Sequence, residues 1–222
     1  METTKRKKRS HVAARCEGCG LHLPLCVCAG LPIVRMPFRW ILVQHGVEVD
    51  RPTNTGRMIR KMFPETERVL YGRQGIPLDI APLMAADTDY LILYPGPESE
   101  TLKPENLRPA AHRRLALILL DGTWRQAAHM SRRIARLREI PRVRLPDGRP
   151  GVWTIRTPNA PCQLCTLEAA IRTVRLAGQL HDARDLQISM EWIQLRMLYM
   201  KGLRPRPADR REAENHVDIN PA

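Results

Sequence analysis

The sequence has no apolar run approaching the ~18 residues that a membrane-spanning helix needs, and no lipid-anchor motif. An acidic membrane surface would fit the basic charge, but without these features the membrane reading is weak. It also lacks G-x-G-x-x-G and the Walker lysine pattern, so neither of the glycine fingerprints that cradle dinucleotides and nucleoside triphosphates is present. No repeat of solenoid length is present. Acidic residues are too few to balance the basic ones: 23 Asp and Glu stand against 36 Lys and Arg, a formal charge of +13 over 222 residues. Such an excess attracts polyanions, which makes nucleic acid the leading partner class. The basic N-terminus is not followed by an apolar segment, so it is not a secretory signal, and the protein is expected in the cytoplasm. In that reducing compartment its six cysteines are metal ligands or plain thiols rather than disulfides.

Residues 1–15 read as a disordered basic tail, with Lys5–Arg9 an unbroken cationic run. Residues 203–222, rich in Pro and charge and poor in apolar side chains, read as a flexible C-terminal tail. Between them, buried strands are predicted at Trp40–Val43, Arg68–Leu70, Tyr90–Tyr94, Leu115–Leu120 and Arg142–Leu145. Helical patterns cover about 54–63, 123–139, 165–178 and 183–201. This alternation predicts an α/β domain around a mostly parallel sheet with flanking helices.

The segment 16-CEGCGLHLPLCVC-28 places Cys16, Cys19, Cys26 and Cys28 in a C-x2-C-x6-C-x-C pattern, with glycine and proline turns to fold the pairs together. Four thiolates in a small knuckle, residues 16–30, predict a structural zinc ion with every coordination position filled. Cys162 and Cys165 form a second close pair at a helix start, but no further thiols remain to complete a metal site. They read as reduced cysteines beside a ligand pocket.

Strand ends carry the other polar signals. In 118-ILLDGTWRQAAHM-130 a buried strand turns into a helix through an acid, a hydroxyl and a tryptophan. Asp and Thr are ordinary caps and Trp an ordinary core residue, yet strand-to-helix joints in α/β proteins are also where ligands sit. On the helix that follows, Arg125, His129, Arg132 and Arg136 make a cationic stripe that can follow a phosphate backbone. In 51-RPTNTGR-57, Arg51 and Arg57 bracket a helix start, an arrangement that an anion between them would relieve. Glu48 can pair with Arg51, and His45 reads as a satisfied strand-end histidine. The stiff loop after 91-LILYPGP-97 adds a wall suited to a planar base.

Together these stretches resemble the DTW-domain family. The resemblance rests on the four clustered cysteines, on 45-HGVEVDRPTNTGR-57 and 93-LYPGPES-99, on Asp121, Thr123 and Trp124, and on 164-LCTLEAA-170, in that order along the chain. It departs at Cys165, where the family usually carries a small hydroxyl residue or similar. The resemblance implies that residues 31–202 form a SPOUT-like catalytic domain with a C-terminal knot around S-adenosylmethionine. The implied activity is transfer of the 3-amino-3-carboxypropyl group to N3 of a tRNA uridine, at position 47 of the variable loop in bacterial members, releasing 5′-methylthioadenosine. It further implies a donor cradle at Leu93, Tyr94, Pro95 and Gly96, at Leu119 and Leu120, and at Leu164, Cys165, Thr166 and Leu167. Asp121 becomes the candidate general base, Trp124 the residue that orders the pocket, and Arg51, Arg57, Arg125 and Arg132 the holders of RNA phosphates. Two other functions fit parts of the pattern: a SPOUT-type RNA methyltransferase and a non-catalytic zinc-containing RNA-binding module.

Overall fold

A computed structural model describes residues 13–156 and 163–219. The basic run Lys5–Arg9 and Cys162 lie outside the described residues. In chain order the elements are β1 (Arg39–His45), α1 (Gly56–Met62), β2 (Glu67–Tyr71), β3 (Thr88–Leu93), β4 (Glu100–Thr101), β5 (Arg114–Asp121), α2 (Trp124–Arg133), α3 (Ala135–Glu139), β6 (Arg142–Arg144), α4 (Thr166–Leu176), α5 (Leu180–Met200) and α6 (Arg210–Ile219). The strands form one sheet in the order β2-β1-β5-β3-β6-β4, and neighbours pair in parallel throughout.

Helices cover both faces of this sheet, which explains the uninterrupted apolar runs of its central strands. Along β5, Leu115, Leu117 and Leu119 point to one layer, where they meet Trp40 and Leu42 of β1, Met58, Ile59 and Met62 of α1, and the buried faces of α4 and α5. Ala116, Ile118 and Leu120 point to the other, against Ala127 and Met130 of α2, Ile134, and Leu137 of α3. Burying side chains of this size contributes about 1.5–3 kcal/mol apiece, so the two layers hold the strand ends in fixed relation.

The structure corrects the sequence reading in four places. The predicted helix over 123–139 breaks at Ile134, whose backbone is extended (φ −81, ψ 107) while its side chain stays in the core. The tail expected to be flexible instead forms α6, which packs Ala213 and Val217, together with Ala208 just before it, against Ile188 and Leu195 of α5. That contact is anchored where Ala208 O accepts from Trp192 Nε1 at 3.1 Å and Arg196 Nε at 2.9 Å. Strand β4 carries no apolar signal at all. The cysteine knuckle is also more than an appendage: Cys19, Leu21 and Val27 are buried within the main core layer. Among the described residues, no helix is long and apolar enough to cross a membrane.

Candidate active site

Parallel strands send their C-terminal ends to one edge, and here the ends of β3 and β5 open a cavity of about 670 Å³ closed by the N-terminus of α4. Leu93, Tyr94 and Pro95 form one wall, and Leu119, Leu120 and the Asp121–Trp124 turn form another. Leu164, Cys165 and Thr166 form the third. Most of the expected cradle is therefore brought together. Gly96 and Leu167 are not among the lining residues: Gly96 spends its N–H on Ser99 Oγ (3.0 Å) in the loop's own turn, and Leu167 faces the core with no exposure. Thr53–Thr55, Leu145–Arg149, Trp153, Arg156, Glu168 and Arg172 also line the cavity and were not anticipated. The irregular stretch 145–149 has no periodicity through which a sequence could announce it.

Asp121 ends β5, is 2% exposed, and is held by side chains from three elements. Gln44 Nε2 and Asn54 Nδ2 each donate to Oδ2 at 2.8 Å, and Thr166 Oγ1 donates to Oδ1 at 2.8 Å. Burial pushes its pKa above the ordinary carboxylate value; the three donors oppose this, and the nearby Glu48 charge adds to it. A Cβ on Gly56 would lie 2.3 Å from Oδ2, so only glycine lets the start of α1 come this close. A second carboxylate lies behind the first. Glu48 has no side-chain exposure and pairs with Arg156 at 2.7 Å and with Arg51 at 3.4 Å, and Asn54 Nδ2 reaches it at 3.4 Å. Arg156 also donates to Thr53 Oγ1 (3.1 Å), so one connected set of polar groups fixes the 53–56 turn beneath Asp121.

The neighbouring motif residues divide between capping and lining. Thr123 is the N-cap of α2: its Oγ1 accepts from the Gln126 N–H, and Gln126 Oε1 accepts from the Thr123 N–H. Trp124 is half-buried in the cavity wall, 5.8 Å from the Tyr94 ring and tilted 37° to it, and is not a core wedge. Cys165 caps α4 with its sulfur, accepting from the Glu168 N–H at 3.4 Å where the family usually has a small hydroxyl. Burial and the Glu168 charge push its thiol well up, so it is an unreactive neutral group in the cavity wall. The Glu168 carboxylate accepts from the backbone N–H groups of Cys165 (3.0 Å), Trp153 (3.2 Å) and Val152, and so ties the 151–153 loop to α4.

The arginines expected to hold phosphates separate in the same way. Arg125 and Arg132 are exposed on α2. Arg51 is half exposed and beside Glu48. Arg57 is not an anion clamp: its guanidinium donates to the carbonyls of Arg51 (2.9 Å), Val49 (3.1 Å) and Glu17 (3.5 Å), because it braces the knuckle against the 49–51 turn. Arg136 leaves the stripe, donating to Leu83 O and lying over the Tyr90 ring.

The four knuckle sulfurs all lie within 4.8 Å of one another, with Cys16–Cys26, Cys16–Cys28 and Cys19–Cys26 separations of 3.4, 3.7 and 3.8 Å. A tetrahedron with Zn–S bonds of ~2.3 Å has edges of about 3.8 Å, so the residues fit zinc. Their ionisation argues the same way. The Cys19 backbone N–H helps lower the Cys16 thiol to about 6, but burial and the neighbouring thiolates push Cys19 and Cys28 up, a penalty that a central dication removes.

Comparison with known proteins follows the same residues. The DTW-domain family model matches residues 13–197. The tRNA-uridine aminocarboxypropyltransferase 2 of Mus musculus is 24% identical over 222 aligned residues, which cover 89% of this chain and 73% of that protein. Among solved structures, the SAM-dependent rRNA:acp-transferase Tsr3 of Vulcanisaeta distributa superposes with a TM-score of 0.47 at 19% identity, over 75% of this chain and 80% of the other.

Proposed function

The chain belongs to the DTW-domain family, and from that premise we propose that it transfers the 3-amino-3-carboxypropyl group of S-adenosylmethionine to N3 of a tRNA uridine, with position 47 as the target. The observation that carries this reading is the cavity at the ends of β3 and β5, where a buried, pre-oriented carboxylate lies beside an aromatic wall. The name of the mouse relative and the +13 charge support an RNA substrate. Cytoplasmic tRNA would be the substrate pool. The SPOUT-like knot belongs to the same proposal, supported by residues 145–149 and 164–166 lining the cavity beside the ends of β3 and β5.

Every carbon bonded to a sulfonium is activated, so this reaction needs selection by orientation more than added chemical force. The uridine N3 forms a bond to the carbon at the sulfur end of the carboxypropyl chain. The C–S bond breaks with its electron pair going to sulfur, and 5′-methylthioadenosine leaves. The N3 proton goes to Asp121, which lines the cavity and whose Oδ1 accepts from Thr166 Oγ1. The Leu93–Pro95, Leu119–Leu120 and Leu164–Thr166 walls would hold adenosine and methionine, with Trp124 and Tyr94 covering a planar ring. Arg125 and Arg132, with Arg51 at the rim, would hold phosphates. Zinc in the knuckle would serve structure.

The test supplies S-adenosylmethionine labelled either in its methyl or in its carboxypropyl carbons and weighs the nucleosides of the treated tRNA. Carboxypropyl label on uridine is expected. Methyl label alone would make the protein a methyltransferase, and unlabelled but tightly bound tRNA would make it a binding module.

A further inference from the structure

Strands β1 and β2 end in His45 and Tyr71, and α2 brings His129 over them. The three rings form a ladder with centroids 6.0 Å apart at each step, meeting at 60° and 64°. Tyr71 and His45 are half-buried and His129 is exposed. None of them lines the donor cavity, yet the ladder begins beside it: a Cβ on Gly122, which does line the cavity, would lie 3.6 Å from the His45 Cβ. His45 Nδ1 accepts from the Val47 N–H at 3.3 Å, which puts the proton of the neutral ring on Nε2. Burial lowers its pKa, with the His129 and Arg51 charges acting in the same direction and Glu48 against them, so at neutral pH it offers an uncharged aromatic face.

Exposed cations flank the His129 step of the ladder on α2. Arg125 precedes His129 by one turn of α2 and Arg132 follows it by slightly less. The acids in reach, Glu48 and Asp50, already pair with Arg51, Arg156 and Arg73. Aromatic rings beside exposed guanidinium groups are what single-stranded nucleic acid binds, through stacking of bases and contact with phosphates.

We propose that the His45–Tyr71–His129 ladder is a stacking subsite for the unpaired RNA bases that flank the reacting uridine, leading from the mouth of the cavity to the β2 edge. This rests on the RNA-substrate reading above. It assigns the ladder to recognition of splayed single-stranded nucleotides, with donor binding left to the cavity.

The experiment measures tRNA affinity by fluorescence anisotropy at several salt concentrations, alongside S-adenosylmethionine affinity and melting temperature, for the full chain and four variants. His129→Ala and Tyr71→Leu are each expected to weaken tRNA binding about five- to tenfold, with an unchanged salt slope and unchanged donor affinity. Tyr71→Phe retains the ring and is expected to bind normally. Arg125→Ala, by contrast, should lower the salt slope by about one. Wild-type affinity in both His129→Ala and Tyr71→Leu overturns the subsite, and so does a salt slope that falls in them as in Arg125→Ala. Should Tyr71→Leu fail to fold, the exposed His129 decides alone. Failure of this inference is separable from failure of the proposed activity: the binding losses do not depend on any product forming, and carboxypropyl transfer does not depend on the ladder's losses being present.

Discussion

At the scale of single residues, the decisive group is Asp121. Its folded pKa is raised above the ordinary 3.8, so its contribution to stability is fully present below that value and is lost as pH rises through the folded pKa. At neutral pH an ionised Asp121 is therefore a cost to the fold. Asp121→Asn removes that charge, and Thr166 can turn its hydroxyl to accept from the new amide while Gln44 and Asn54 keep donating to the remaining oxygen. Melting temperature at neutral pH should hold within a few degrees or rise, while the transfer rate falls by about 10²–10⁴. The wild-type rate should show an acidic limb shifted above the ordinary carboxylate range, and this limb should vanish in the variant. A parallel loss of stability and activity would reassign Asp121 to bracing. Much of this site was legible, because Asp121, Thr123 and Trp124 stand together in the chain. Glu48 and Arg156 show what was not legible: their partnership crosses from the β1 loop to the segment before α4, and neither residue's neighbours in sequence hint at the other.

Elements are legible to the extent that burial imposes a period. Strand β5 announces itself because both its faces are covered, and α5 because its core face carries Leu186, Met190, Ile193 and Met197. The break between α2 and α3 is silent, since Ala127, Met130, Ile134 and Leu137 keep helical spacing straight through the residue that leaves the helix. Helix α6 is silent for a different reason: it buries Ala213 and Val217, with Ala208 just before it, and Arg210 reaches Asp185 and Ser189 of α5, so polar composition conceals a packed helix. Truncation after residue 203 should expose Ile188 and Leu195 and lower stability by about 3 kcal/mol, with reduced solubility, as read by denaturant unfolding. An unchanged midpoint would mean that α6 adds nothing to the fold. The α4 latch yields a prediction with a functional readout. Glu168→Ala strands three backbone N–H groups and releases the 151–153 loop from α4, at a cost of about 1 kcal/mol or more for each orphaned donor. Because that loop and α4 share the donor cavity, S-adenosylmethionine affinity should fall at least tenfold even under conditions where the variant remains folded. Calorimetric titration showing wild-type affinity would separate the latch from the site.

Over the whole molecule, the cysteine cluster acts as a rivet through which distant parts share one transition. Cys19, Leu21 and Val27 belong to the same buried layer as Trp40 and Leu117, while Arg57 and Arg196 bind the knuckle's carbonyls at Glu17 and Leu25. Gly20, at φ +74, sits so close to the Pro52 carbonyl that a Cβ there would lie 2.7 Å from its oxygen. Pro52 leads directly into Thr53 and Asn54, and Asn54 donates to Asp121. A metal held there would therefore support the edge that carries Asp121 through a short, packed path. A site that keeps zinc at a free concentration 1,000-fold above its dissociation constant stabilises the folded state by about 4 kcal/mol. In a chain of this length each kcal/mol shifts the melting temperature by about 2–4 °C. Chelation, or Cys26→Ser, should accordingly lower melting by about 8–16 °C in a single cooperative step and reduce transfer activity with it, and elemental analysis should find one zinc per chain. Two separated transitions, with the second at the original temperature and activity intact, would show a detachable knuckle instead. The pH dependence has a fixed direction: Cys19 and Cys28 have raised pKa values and must lose protons to bind the metal, so chelation should become easier as pH falls.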